Sequence, residues 1–395
     1  MKRITAFLLT SIAVQSIGAQ SFIQAYQDRV NMVTQANINT NLQQFASFGV
    51  KETGTQANAN TLDWLKSKYL SYGYTASAMT EDTFTYNNSD SKNLIITKTG
   101  TLYPNKYVII CGHYDTITGQ GVSDNGSGTS IILEAARILK DVPTEYSIKF
   151  IHFSGEEQGL VGSKHYVNNV AYEAGVRKMD IKLVFNIDQV GGQIGNNNNT
   201  IRCEKDTGGA TSTNNAASSA VTQELVTCTG LYSPLQTFIS NTYGSDYVPF
   251  EAKGYTITGF YEHIRSNNEH TTDDNWDNID PVYVFNVGKA AVGALQHFAV
   301  ATTTNNLLGT YETSGKNTSD AIKVYPNPAK DTINIEFLQK VKPFFKVEVS
   351  NMTGQIVLNT ENQEKINTTG LKNGVYMVTV KTDSGNTSRK IIIEK

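Results

Sequence analysis

The stretch 111–128, CGHYDTITGQGVSDNGSG, carries one imidazole and two carboxylates directly after a short apolar run, YVII at 107–110. That run is β-branched, as a buried strand is, so His113 and Asp115 fall just past its carboxyl end. Open α/β sheets collect their ligands along that edge. In extended backbone, side chains two apart point the same way, so Asp115 can hydrogen-bond the His113 imidazole and fix which ring nitrogen faces outward. Asp124 follows on a glycine-rich turn (Ser123, Asn125, Gly126, Gly128) that leads into an amphipathic run at 131–139, close to a helix start. These residue types support metal binding, although a His and an Asp in a loop are more often solvated or structural than ligands.

The same arrangement recurs twice. The strand IKFIHF (148–153) is followed by SGEEQGLVGS, so Glu156 and Glu157 emerge after its carboxyl end, and KLVFNID (182–188) places Asp188 at the corresponding point. Adjacent side chains diverge, which lets one glutamate hold a metal while its neighbour faces the water to be activated. EHTTDD adds His270 from a distant polar loop. Singly, these residues read as a solvated turn, a strand-end cap and a loop histidine. Together they converge on the carboxyl edge of one sheet. His152, His165 and His297 lie in regular elements and read as packed or surface residues, whereas His263 is near enough to 241–255 to line a substrate site.

The elements that must position these groups follow from the periodicity. Residues 22–74 have helical spacing, with Leu62, Leu65 and Tyr69 on one face; 82–86 and 93–99 read as strands. Strand, helix and strand then alternate: a helix at 131–139, a strand at 147–153, a helix around 164–170, a strand at 182–188. This rhythm predicts an α/β fold, a mixed and mostly parallel sheet with helices on both faces. Residues 191–219, rich in Asn, Gly, Thr and Ser, read as a long surface loop, and Asp280–Pro281 as the cap and first turn of a last helix reaching about 298. Residues 1–19 have the form of a signal peptide: Lys2 and Arg3, an apolar core at 4–14, then Ser16, Gly18 and Ala19. No later stretch approaches the roughly 18 apolar residues of a membrane span, so an exported chain without a transmembrane segment is expected. With 33 basic and 36 acidic residues, nothing points to nucleic acid as a partner. Of three cysteines, Cys111 ends a strand, while Cys203 and Cys228 flank a polar stretch and can bridge in an oxidising compartment.

Taken in order and spacing, GHYDT, SDNGSG, SGEEQGL, NID and EHTTDD resemble the secreted zinc aminopeptidases with two co-catalytic metals, the clan that includes bacterial leucyl aminopeptidases. The resemblance spans about residues 22–300. It implies two zinc ions per chain, with Asp124 bridging them, His113 and Asp188 completing one site, and Glu157 and His270 the other. It further implies Asp115 as the partner of His113 and Glu156 as the general base; manganese or cobalt would also suit the ligand set. Three carboxylates offset three of the four positive charges, leaving field enough to lower the pKa of a water held between the ions. The segment 241–255, NTYGSDYVPFEAKGY, resembles the family's segment beside the substrate pocket, with Tyr243 a candidate for stabilising the oxyanion. The implied substrates are peptides or proteins with free N-termini. Three features depart from the pattern: Asn125 where a second acidic residue is usual, Gln189 where Met is usual, and no small disulfide before Ser245–Asp246. A carboxypeptidase or a glutaminyl cyclase, the latter typically with one zinc, would use the same scaffold, and a surface-binding protein without catalysis is the alternative from another class.

From 301 the composition shifts to Thr, Asn, Gly and Ser, a linker over 301–321 between a catalytic domain at 20–300 and a terminal unit at 322–395. Ile333, Ile335 and Phe337 alternate, as do Val347 and Val349, and turns precede VYMVTV, predicting a small β-sandwich. VYPNPAKD, GVYMVTV and SRKIIIEK resemble the sorting domain of type IX secretion substrates. That likeness implies the type IX machinery as partner and export through the periplasm and outer membrane to the cell surface or medium; a carbohydrate- or protein-binding sandwich is the alternative.

Overall fold

The computed structural model describes residues 20–206, 213–303, 322–337, 345–351, 356–382 and 385–395. They divide into two compact units, separated after Thr303. The signal segment and 304–321 of the linker lie outside the described residues.

The first unit opens with helices α1 (Gln24–Val30), α2 (Gln35–Ala46) and α3 (Gln56–Ser71). Thr34 and Thr55 cap α2 and α3 by accepting from Asn37 and Asn58 N–H, each worth about 1 kcal/mol. Then come strands β1 (Met79–Tyr86), β2 (Ser89–Lys98) and β3 (Tyr103–His113), helix α4 (Ser127–Leu139), β4 (Tyr146–Phe153), α5 (Val161–Tyr166), a short hairpin β5 (Tyr172–Glu173) and β6 (Val176–Arg177), and β7 (Asp180–Ile187). The unit closes with β8 (Thr200–Lys205), α6 (Asn215–Tyr232), β9 (Gln236–Asn241), α7 (Val248–Glu251), β10 (Ile257–Glu262) and α8 (Pro281–Phe298). Asp280 caps α8 by accepting from Val282 and Tyr283 N–H, with Pro281 in the first turn, where its missing donor costs nothing.

Eight strands form one mixed sheet in the order β1-β2-β4-β3-β7-β10-β8-β9, in which β4, β3, β7 and β10 run parallel. The central strands are buried on both faces. Val108 and Ile110 face one core, with Ile131, Phe150, Phe185, Val287 and Leu295; Ile109 and Cys111 face the other, with Ile151, Val184, Tyr166 and Phe250. A strand flanked by two cores must be apolar without alternation, as YVII is. Both faces are thus covered and the backbone rigid where β4, β3 and β7 end side by side.

One expectation is overturned, and the open question of a Cys203–Cys228 bridge is answered. Residues 191–219 are not one surface loop: β8 occupies Thr200–Lys205, hydrogen-bonded to β10 on one side and β9 on the other, and α6 begins at Asn215. The strand is short and set in polar sequence, with only Ile201 and Cys203 reaching the core, so much of its support comes from its neighbours β10, β9 and α6. Cys203 and Cys228 accordingly lie in β8 and α6, and both are buried free thiols, as is Cys111.

The second unit packs a three-stranded antiparallel sheet, β11 (Ile322–Tyr325), β12 (Thr332–Phe337) and β15 (Lys365–Asn367), with a four-stranded one, β14 (Ile356–Glu361), β13 (Phe345–Asn351), β16 (Gly374–Thr382) and β17 (Gly385–Ile393). Ile333, Ile335, Val347, Val349, Ile366, Val378, Val380 and Ile391 share its core, the small sandwich predicted. Among the described residues, no helix is long and apolar enough to cross a membrane.

Candidate metal centre

His113 is the last residue of β3, Asp188 follows β7, and Glu156 and Glu157 follow β4, so three adjacent parallel strands deliver four of the groups to one edge. The fifth and sixth arrive on loops. Asp124 sits in the turn before α4, which starts against the ends of β3 and β7 because Gly128 has no side chain; a Cβ there would lie 2.2 Å from the Ile187 carbonyl oxygen. His270 comes from the loop after β10, with left-handed backbone at φ 56°, a conformation costly to a non-glycine residue and commonest at functional sites.

The carboxylate of Asp124 lies between two imidazoles. Its Oδ1 is 3.1 Å from His113 Nε2 and its Oδ2 is 3.3 Å from His270 Nε2. Asp188 Oδ1 lies 3.2 Å from the same His113 nitrogen, and Glu157 Oε2 lies 2.9 Å from the His270 nitrogen. Two groups of candidate ligands result, His113–Asp124–Asp188 and Asp124–Glu157–His270, each with its three ligand atoms within 4.8 Å of one another. Donors around a tetrahedral zinc with bonds of 2.0–2.1 Å are about 3.3 Å apart, so the donor set fits the ion in type and spacing.

Electrostatics point the same way. Asp115, Asp124, Glu156, Glu157, Asp188 and Asp246 crowd around two rings. Burial, with the charge of Asp124, pushes Glu157 up to about 8. Burial carries Glu156 well above the ordinary carboxylate range, reinforced by Asp188, Asp246 and Asp124 and only partly offset by His113. Its hydrogen bond to Asp124 raises His270 to about 9, against the effect of burial. Carboxylates held this close are relieved by protonation or by cations among them.

Supporting contacts fix each group, and most come from residues with no signal in the sequence. His113 Nδ1 donates to the main-chain carbonyl of Asp115 at 3.1 Å, which turns Nε2 toward the site. The Asp115 carboxylate is 3.6 Å from that ring, beyond the hydrogen bond expected. It accepts instead from the Glu156 and Glu157 N–H groups, 3.2 Å each, and so holds the loop that presents both glutamates. Asn125 does not face the site: its amide donates to the Ile187 carbonyl and accepts from the Gly128 and Gln189 N–H groups. Ser245 donates to Asp188 Oδ2 and accepts from Asn186. Asp274, almost fully buried, accepts from the Ser123 and Asp124 N–H groups at 2.6 and 2.9 Å and thereby ties the His270 loop to the Asp124 turn.

The remaining histidines lie elsewhere. His152 pairs with Tyr69 and His297 with Tyr232, burial lowering them to about 3 and about 4; His165 meets Asp82. His263 packs on Phe238. Tyr243 is half-exposed, its ring against Tyr261.

Comparison with known proteins gives two family matches: residues 93–295 match Peptidase family M28, and residues 323–394 match a secretion system C-terminal sorting domain. Aminopeptidase YwaD of Bacillus subtilis is 42% identical over 108 residues, 27% of this chain and 23% of that protein. The chain spans only 23 to 36% of the length of such curated relatives. In fold, the unit is similar to the LapA aminopeptidase of Legionella pneumophila (TM-score 0.60, 21% identity, 75% of this chain and 80% of that one). It is also similar to the glutaminyl cyclase of Porphyromonas gingivalis (TM-score 0.54, 19% identity, 67% of this chain and 98% of that one).

Proposed function

The chain belongs to Peptidase family M28 through residues 93–295, and from that premise we propose that it is an exported aminopeptidase, holding two zinc ions and releasing N-terminal residues from peptides. One observation carries this reading: Asp124 offers one oxygen to each of two imidazole–carboxylate pairs. His113 and Asp188 would hold one ion with Asp124, and Glu157 and His270 the other. When bound, the pair supplies the Lewis acidity that polarises a peptide carbonyl and acidifies an attacking water. Glu156, which belongs to neither group of candidate ligands, takes that water's proton and passes it to the leaving amine. The Tyr243 hydroxyl accepts from Arg265 Nη2 at 3.4 Å, so its own proton is free to donate to the developing oxyanion.

The expected result is about two zinc ions per chain by elemental analysis, and hydrolysis of unblocked aminoacyl amides but not of their N-acetylated forms. Fewer than about one ion per chain, or equal rates on blocked substrates, would sink the reading. Conversion of an N-terminal glutamine to a cyclic product, with no amino acid released, would replace it with a cyclase.

The match at 323–394 supports a role for the terminal unit in type IX export. Deleting residues from Lys316 onward is expected to leave an active, folded peptidase that no longer passes the outer membrane, because the two units have separate cores. Loss of folding on truncation would show instead that the sandwich is integral to the enzyme.

A further inference from the structure

Between His113, which ends β3, and the turn that carries Asp124, the chain crosses residues 114–121 outside any helix or strand. Where Asp124 stands depends on how that connection is held. Lys51, in the connection between α2 and α3, holds it at two points. Its main-chain N–H donates to Thr116 Oγ1 at 2.8 Å and its carbonyl accepts from the Thr116 N–H at 3.3 Å. Its ammonium donates to the Gln120 carbonyl at 2.7 Å.

Lys51 is fully buried. The same ammonium donates to the Gly49 carbonyl at 2.7 Å and lies 4.0 Å from the centre of the Phe45 ring. Asp274 and Asp115 favour its charged form, against the burial that draws it down to about 7. An apolar side chain could fill this space, but it would leave buried carbonyls without a donor. Both held points lead on to Asp124. Thr116 packs on Gly121, where a Cβ would lie 2.1 Å from Thr116 Cγ2, and the Gly121 carbonyl accepts from the Gly126 N–H at 2.9 Å, closing the turn around Asp124. Phe45, under the ammonium, lies against Gly126, where a Cβ would be 2.7 Å from its ring. We propose that Lys51 is a positioning residue for the metal centre: by pinning the connection at Thr116 and Gln120 it fixes Asp124 between His113 and His270, and so governs the zinc affinity of both sites. This inference rests on the reading of Asp124 as a carboxylate shared by two zinc ions.

The test measures zinc dissociation constants of the full-length protein by competition with a chromogenic chelator, alongside thermal unfolding of the metal-free protein. Lys51→Met removes the donors and should raise both constants by about 10- to 100-fold, the usual effect of losing a group that orients a metal ligand. Lys51→Arg keeps a cationic donor and should recover part of the affinity. Thr116→Val removes the hydroxyl that accepts from Lys51 and should weaken zinc in the same direction. Lys98→Met is the control: Lys98 is only 8% exposed, yet it pairs with Ile148 near the start of β4, away from the strand end that carries Glu156 and Glu157. It should lower the unfolding temperature without moving zinc binding. Parent-like constants in Lys51→Met, or constants moved as far by Lys98→Met, overturn the role of Lys51 while leaving the two-zinc centre standing. If Lys51→Met does not fold, Thr116→Val decides, and parent-like zinc affinity there overturns the proposal equally. A parent protein that binds no zinc overturns the two-zinc reading and this inference with it.

Discussion

Replacing Glu156 by Gln is expected to lower kcat by about a hundredfold or more, with KM changed little and zinc content still near two per chain. The amide cannot take a proton from the attacking water, yet Glu156 belongs to neither group of candidate ligands, so the ions should stay. Added zinc should not restore the rate. Its neighbour provides the control. Glu157 Oε2 lies 2.9 Å from His270 Nε2, and Glu157→Gln substitutes a neutral, poorer ligand, so that variant should lose one ion and recover partly in excess zinc. Metal loss from Glu156→Gln, or near-normal turnover, would show that the two glutamates exchange or share roles. Chemically identical and adjacent in sequence, they differ in where the loop points them, and the Asp115 carboxylate holds that loop by both N–H groups.

A second large effect is expected at Asp124. Asp124→Asn keeps the shape of the side chain but turns one of two equivalent anionic oxygens into an amide nitrogen, which is no ligand. Since each oxygen faces a different imidazole, both sites should fail together. Zinc should fall below about one ion per chain, and activity to roughly a thousandth of the parent or less. His113→Gln and His270→Gln, each confined to one site, should retain one ion. If Asp124→Asn retains one tightly held zinc, the carboxylate is not shared, and the two groups of ligands do not form a co-catalytic pair.

Much of the candidate site is legible in the sequence because His113, Asp188 and the Glu156–Glu157 pair each follow a strand end, whereas Asp124 and His270 lie on loops. A strand buried on both faces is continuously apolar, so YVII, IKFIHF and KLVFNI announce themselves, and the polar residues directly after them lie along one edge whatever the order of strands. The alternation of Ile333, Ile335, Val347 and Val349 likewise marked the terminal sandwich, since one face of each strand must be covered.

Local pattern is thus enough to place the central strands, their edge and the chemical character of the groups along it. Only the tertiary structure decided which atoms meet. β8 hides in polar sequence because only Ile201 and Cys203 of it enter the core, and pairing with β10 and β9 completes it. The two-residue spacing makes Asp115 a side-chain partner for His113, but the chain turns so that the main-chain carbonyl takes the ring and the carboxylate takes the glutamate loop. Asp274 and Ser245 hold two candidate ligands from 150 and 57 residues away, and hydrogen bonds join Gln189 to Glu269 and Glu269 to Arg265, 80 and 4 residues apart. Such contacts carry no local periodicity. They exist because hydrogen-bonding groups buried beside a charged centre must be paired, and the closure of the sheet and its loops determines which partner is within reach.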